Sequence, residues 1–272
     1  MASLLPAADP TLADDLALLE VVAREAGHLS LEWLEKGARS WDKSPGNVVT
    51  EADIAVNDLI AQRLGQVRPR YGWLSEETRD HVDNRSDSRI FVVDPIDGTK
   101  AFVKGEPGFC VSIALLEDSI PVAGALFNPL TDEMFTAARG QGAWLNGAPT
   151  TVSAGSAMGG CRMVGRPEVF RKIRTHWTGM ELIDPMPNAI AWRLALVASG
   201  RWDAAVALND KNDWDLAAAV LIVEEAGGVT TDRNGDAFVF NRSSVVQAGV
   251  VAAGANLHPL LLEKIKELSR PA

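Results

Sequence analysis

Cysteine is nearly absent: the 272 residues include 2, Cys110 and Cys161, with no CxxC spacing. Two cysteines cannot staple a chain of this size, and both sit among apolar or small neighbours, as buried free thiols do. Histidine is scarce too. The 4 present, His28, His81, His176 and His258, are scattered, which argues against a zinc site built on imidazoles. No apolar run approaches the ~20 residues that cross a bilayer, so no membrane partner is expected. Met1 to Asp9 lacks the basic-then-apolar order of a secretion signal, and the expected compartment is the cytoplasm. Basic charge is the last deficit: 26 Lys and Arg face 36 Asp and Glu, a formal net charge of −10. Nucleic acid rewards basic stripes, so a polymeric nucleic-acid partner is disfavoured. A small phosphorylated substrate is not, because metal ions held by carboxylates can receive phosphate.

What is present suits a soluble protein: 47% hydrophobic and 23% charged residues allow one large domain or two packed lobes. Thr11 to Lys36 carries apolar residues at helical spacing and reads as one amphipathic helix, with a break expected near Gly27. Ser40 to Asn47, with Pro45 and Gly46, reads as a loop, and Thr50-Glu51-Ala52-Asp53 as a capping box opening a helix to about Gly65. Strand signals follow from Arg89. Cys110–Leu116 and Ile120–Phe127 form a hairpin pattern across Glu117-Asp118-Ser119, and Glu133–Ala138 and Ala143–Leu145 continue a meander. Beyond Thr150–Gly160, rich in Ser, Gly and Ala, short strands (Arg162–Val164, Leu182–Ile183, Ala204–Ala207, Val250–Ala253) alternate with helical patterns. Those helices are expected at Glu168–Trp177, Ala189–Ser199, Leu216–Ala226 and Pro259–Leu268. This is α/β logic. The expected division is a lobe over 1–149 with an antiparallel sheet and an α/β lobe over 150–272.

The most informative segment is Arg89-Ile90-Phe91-Val92-Val93-Asp94-Pro95-Ile96-Asp97-Gly98-Thr99. A hydrophobic strand delivers Asp94 to its end, Pro95 stops the ladder, and Gly98 permits an unusual turn. Asp94 and Asp97 can then face one point with the Ile96 carbonyl between them, a hard-oxygen pattern suited to Mg²⁺ or Mn²⁺. The amides of Gly98 and Thr99, opening a helix through Phe102, could receive a phosphate oxygen. Taken alone, the segment is equally an Asx turn. Glu76-Glu77 after Tyr71-Gly72-Trp73-Leu74 could supply a ligand or form a solvated loop. Asp213 reads as an N-cap, and Asp215 either joins a site or complements the helix dipole. Asp53 has the same local alternative.

Their combination resembles the inositol monophosphatase family. Lys43, Pro45, Val48-Val49-Thr50-Glu51-Ala52-Asp53, Ser75-Glu76-Glu77, Asp94-Pro95-Ile96-Asp97-Gly98-Thr99 and Trp214-Asp215-Leu216-Ala217-Ala218 occur in family order. Gly108-Phe109-Cys110-Val111-Ser112-Ile113-Ala114 and Glu224-Glu225-Ala226-Gly227-Gly228 extend the match over most of the chain. The resemblance implies a layered αβαβα sandwich, of the inositol monophosphatase and fructose-1,6-bisphosphatase type, and Mg²⁺-dependent hydrolysis of phosphate monoesters, with Mn²⁺ as a substitute. By the motif, Glu76, Asp94 and the Ile96 carbonyl hold the metal that activates water. Asp94, Asp97 and Asp215 hold a second, while Thr99 and Asp53 orient the attacking water and take its proton. Lys43 lies on a loop that approaches the metal site in relatives, Glu77 is an outer partner, and a homodimer is the family's assembly.

Substrate identity is read from departures. Lys100-Ala101 stands where inositol phosphatases usually show Thr-Asn, and Arg193 where the 3′(2′),5′-bisphosphate nucleotidase branch tends to carry Lys. A cation at Arg193 could hold a second phosphate; the alternative is a surface residue lying over apolar neighbours. Leu208, with Asn209 beside it, replaces a Glu that grips sugar hydroxyls in inositol phosphatases, and Ala219 replaces a glycine. Asn188-Ala189 replaces the small Gly/Ser-containing substrate loop, and Gly98, Thr99, Asn188 and Arg193 are the expected substrate-binding residues. These features favour 3′-phosphoadenosine 5′-phosphate as substrate. Inositol 1-phosphate is the alternative, followed by histidinol phosphate, a sugar bisphosphate, or a non-catalytic metal- or phosphate-binding regulator. A haloacid-dehalogenase mechanism is disfavoured, since its aspartates stand two apart rather than three.

Overall fold

The computed structural model describes residues 10–79, 85, 88–165, 179–183 and 185–268. Helix α1, Leu12–Lys36, is capped by Thr11, which exchanges hydrogen bonds with Asp14, and ends at left-handed Gly37. The break expected near Gly27 does not occur. Gly27 faces a neighbour instead: a Cβ there would lie 2.4 Å from the Phe127 ring. The glycine thus answers a packing demand rather than a bend. Gly27→Ala gains about 1 kcal/mol of helix propensity but incurs an overpacking cost of about 1–3 kcal/mol. Thermal denaturation is expected to show a lowered melting temperature, and a raised one would refute the contact.

The expected loop after α1 is a hairpin, β1 (Ser40–Ser44) pairing antiparallel with β2 (Asn47–Thr50). Pro45 and Gly46 make its turn, with Gly46 at φ +81° supplying the left-handed residue that such a turn requires. The breakers in the sequence therefore mark a tight connection rather than a long one. Helix α2, Glu51–Val67, begins at the Thr50–Asp53 capping box.

Seven strands form the first sheet: β3 (Gly72–Ser75), β4 (Arg89–Asp97), β5 (Cys110–Glu117), β6 (Ile120–Asn128), β7 (Glu133–Ala138), β8 (Ala143–Leu145) and β9 (Ala148–Thr150), side by side in that order. β3 and β4 are parallel and the remainder antiparallel, so the sheet is mixed at one edge. Asp118 and Ser119, at φ +49° and +67°, form the two-residue turn between β5 and β6. The short helix α3, Thr99–Val103, follows β4.

The later strands are β10 (Arg162–Gly165), β11 (Glu181–Leu182), β12 (Ala204–Ala207), β13 (Lys211–Asn212), β14 (Gly228–Thr231), β15 (Val246–Gln247) and β16 (Val250–Gly254). Five of them make the second sheet in the order β11-β10-β12-β16-β14, while β13 and β15 pair separately. Among the described residues, the helices of this half are α4 (Ile190–Ala198), α5 (Asp213–Glu225) and α6 (His258–Leu268). The helix expected at Glu168–Trp177 lies outside the described residues.

Strand periodicity shows how the layers stack. On β4, Phe91 and Val93 join the core beneath α1 and α2, whereas Ile90 and Val92 join the core around α4 and α5. On β12, Ala205 and Ala207 face that second core, whereas Ala204 and Val206 face the cluster of Leu257, Leu261 and Ile265 around α6. Alternation by two therefore places each sheet between helices, giving the αβαβα sandwich. Helix α5 is apolar nearly all round because it is enclosed on both sides, and the first turn of this buried helix carries Asp215.

Candidate active site

Three chain segments bring carboxylates together where β4 ends. The ladder between β4 and β5 is regular to Asp94↔Ser112 and resumes at Asp97↔Cys110, so Pro95 and Ile96 bulge out of it. Within the bulge the Ile96 amide donates to Asp94 Oδ1 at 3.1 Å, the expected Asx bond. Gly98 then adopts φ +92°, and a Cβ there would meet the Gly108 carbonyl at 2.7 Å. Only glycine suits that position.

Glu76 arrives from the end of β3, Asp94 and Asp97 from β4, and Asp215 from the first turn of α5. Glu76, Asp94 and Asp215 each offer one oxygen, and the three oxygens lie within 4.8 Å of one another. A cavity of about 190 Å³ is walled by these residues with Ile96, Asp97 and Thr99. Lys100 and Asn188 reach its rim.

The carboxylates strain against one another. Burial, then Glu76, Asp97 and Asp215, raise the Asp94 carboxyl well above the usual carboxylate range. Asp215 is pushed up to about 7 by burial and by Asp97, with the Asn212 amide working the other way. Burial raises Asp97 to about 6, against the Ala191 amide and Arg193. Hard oxygen donors this close, in a largely buried pocket, fit a divalent cation, which would relieve both the desolvation and the repulsion.

Beside the cluster, Asp53 Oδ2 accepts from the Thr50 amide at 2.8 Å and from the Thr50 hydroxyl. Its Oδ1 accepts from Thr99 Oγ1 at 3.1 Å, and the same hydroxyl lies 3.3 Å from the Ile96 carbonyl. Burial raises the Asp53 carboxyl, while the Thr50 and Thr99 bonds pull it down. Lys43, on β1, donates to Glu76 at 3.3 Å and also to Glu77. Burial disfavours its charge, yet the two glutamates hold its pKa above the ordinary lysine value. Burial lifts Glu77 to about 7 against the pull of Lys43.

Two expectations need correcting. Asp213 is not the N-cap of α5; Asn212 is, and Asp213 is fully buried as the first helical residue. Its carboxylate turns inward because Gln247 Nε2 and the Asn241 amide donate to it at 2.7 and 2.6 Å. Arg193 is not a surface residue. It is 7% exposed, and its guanidinium donates to the carbonyls of Pro187 at 2.7 Å and Asn188 at 2.8 Å. It clamps the segment leading into α4, whose Ala191 amide donates to Asp97 at 2.6 Å.

Other contacts escaped the sequence reading. Ser75 donates to Asn57 at 2.7 Å, and Thr78 receives both Asn57 Nδ2 at 3.3 Å and the Trp73 indole at 3.0 Å. Together they fix the turn that presents Glu76. A signal existed: Asn57 interrupts the apolar stripe of α2 one turn after Asp53, on the same face.

Residues 12–270 match the inositol monophosphatase family. An inositol monophosphatase of Mesembryanthemum crystallinum is 33% identical over 243 residues, covering 85% of this chain and 90% of that protein. A histidinol-phosphatase of Chlorobaculum parvum is 32% identical over 262 residues, covering 89% and 95%. Among solved structures, the extragenic suppressor protein suhB from Bartonella henselae superposes with a TM-score of 0.82 at 30% identity, covering 93% of this chain and 98% of that one. No helix among the described residues is long and apolar enough to cross a membrane. The chain belongs to the inositol monophosphatase family and is a phosphoric monoester hydrolase of that metal-dependent class.

Proposed function

We propose that the protein hydrolyses a small phosphate monoester of the inositol 1-phosphate kind, using Mg²⁺ held by Glu76, Asp94, Asp97, Asp215 and the Ile96 carbonyl. The observation that carries this is the meeting of three carboxylate oxygens from β3, β4 and α5 within 4.8 Å, beside the Thr99–Asp53 pair. Bound there, Mg²⁺ supplies charge neutralisation for the phosphate and lowers the pKa of water. The protein's own part is positional. Thr99, donating to Asp53, keeps a lone pair with which to hold a water molecule, and Asp53 is the acceptor at the end of that relay. Asp53 stays poised because Thr50 fixes its second oxygen. Asp97 is held in place by the Ala191 amide, and Lys43 balances the charge of Glu76 and Glu77.

The substrate reading moves from the nucleotide to the polyol ester. The guanidinium of Arg193, which suggested a second phosphate, is engaged with the Pro187 and Asn188 carbonyls. Leu208 packs with the apolar cluster around α6, and Asn188, Asn209, Lys211 and the buried Arg193 line a second cavity of about 210 Å³ whose wall also includes Asp97 and Asp215. Amide and ammonium groups there suit hydroxyls. The relative from Mesembryanthemum crystallinum is named an inositol monophosphatase. A homodimer belongs to the same proposal, and sedimentation as a monomer would remove it.

A phosphate-release panel tests the substrate. Inositol 1-phosphate is expected to give the highest kcat/KM, above 3′-phosphoadenosine 5′-phosphate, histidinol phosphate and fructose 1,6-bisphosphate. A preference for the nucleotide that disappears in Arg193→Ala would overturn this reading in favour of a bisphosphate nucleotidase.

A further inference from the structure

We infer that Asp213 is a positioning residue for the candidate metal ligand Asp215, acting through a buried polar network. The inference rests on the proposal that Asp215 binds Mg²⁺. Asp213 is completely buried, and both its oxygens are used: Oδ1 accepts from Gln247 Nε2 and Oδ2 from the Asn241 amide. Its own amide donates to the Val245 carbonyl at 2.9 Å. Gln247 is 3% exposed and donates also to the Val239 carbonyl at 2.9 Å, while its oxygen accepts from Arg242 at 3.3 Å. Arg85, from the segment between β3 and β4, donates to Asn241 Oδ1 and to the Arg242 carbonyl, and Asn241 returns a bond to the Arg85 carbonyl.

This network grips both ends of the 239–247 segment against the start of α5. That segment also pairs β15 with β13, fixing Lys211 and Asn212. The Asn212 amide in turn donates to Asp215 Oδ2 at 2.7 Å. Asp213 therefore holds the strand whose last amide aims Asp215 into the pocket. An ordinary N1 aspartate would lie in solvent and interact only with the helix dipole. Here, an amide at 213 cannot accept at both oxygen positions, so Asp213→Asn sets an N–H donor against another donor.

The test is Mg²⁺ binding by titration calorimetry on wild type, Asp213→Asn, Gln247→Met and Asp215→Asn, with Leu261→Ala in the distant α6 core as a control for lowered stability. Folding of each variant is confirmed by near-UV circular dichroism. Groups that hold a ligand in place typically affect metal affinity about 10–100-fold. Asp213→Asn and Gln247→Met are expected to weaken Mg²⁺ about tenfold or more, while Leu261→Ala binds as wild type does. Should Asp213→Asn fail to fold, Gln247→Met decides. Wild-type affinity in a folded Asp213→Asn or Gln247→Met, or equal weakening in Leu261→Ala, would overturn the inference. Unchanged binding in Asp215→Asn would instead overturn its premise, and the inference with it.

Discussion

Asp94→Asn is expected to reduce Mg²⁺-dependent phosphate release by about a thousandfold or more and to raise the melting temperature of the metal-free protein. Both effects have one cause. Asp94 is 2% exposed and its carboxyl is raised by burial and by four neighbouring acids, Glu76, Asp97, Asp215 and Asp53. An asparagine of the same shape keeps an oxygen for the Ile96 amide, which donates at 3.1 Å, but removes the charge. The apoprotein loses a repulsion, and the cation loses one of the three carboxylates whose oxygens lie within 4.8 Å of one another. Opposite signs for stability and activity mark a site built for a ligand rather than for the fold. A folded Asp94→Asn enzyme with normal turnover would refute the assignment. A lowered melting temperature would show that the carboxylate stabilises the apoprotein.

Thr99→Val is expected to lower kcat by about 10²–10⁴-fold while leaving Mg²⁺ affinity within about twofold. The argument separates two functions packed within one turn. The Thr99 hydroxyl lies 3.1 Å from Asp53 and 3.3 Å from the Ile96 carbonyl, so it joins the acid that accepts a proton to the wall of the metal pocket. Valine fills the same volume and keeps α3 in place, but it leaves Asp53 without one of its donors and the water without its holder. Thr99→Ser should retain most activity, because the hydroxyl remains. Asp53→Asn should resemble Thr99→Val in kcat. If Thr99→Val turned over at the wild-type rate, the Thr99–Asp53 pair would be a helix-capping arrangement with no part in the chemistry.

These two residues also show where sequence reasoning succeeds. Asp94, Ile96, Asp97 and Thr99 lie within one strand end, and proline and glycine dictate the local geometry there. Their convergence on a site came from the family resemblance of the combined motifs; the turn itself was legible in Asp-Pro-x-Asp-Gly, which alone was equally an Asx turn. Thr50 and Asp53 were legible for a similar reason, as a capping box is a local signature. The layers followed from periodicity, as with Phe91 and Val93 facing one core and Ile90 and Val92 the other.

Long-range contacts were not legible. Nothing near Asp213 indicates that Gln247, 34 residues later, will claim its carboxylate. Arg193 looked like an available cation for a different reason: the contacts are near in sequence, but no motif signals that the chain before α4 turns its Pro187 and Asn188 carbonyls onto the guanidinium. Its engagement changes the substrate reading while leaving the metal chemistry as it was. The hairpin at Ser40–Thr50 was missed because Pro45 and Gly46 signal a turn without revealing which flanking residues pair.

The surplus of acids follows the same division. Among the described residues other acids are exposed or joined in ion pairs, as is the buried Asp15, which pairs with Arg68 and Arg89. Glu76, Asp94, Asp97 and Asp215 gather where their charges are costly unless a cation is present. The direct test is phosphate release from inositol 1-phosphate as Mg²⁺ is titrated into EDTA-treated protein. The rate should begin at background and rise saturably with Mg²⁺; full turnover in EDTA would contradict the account.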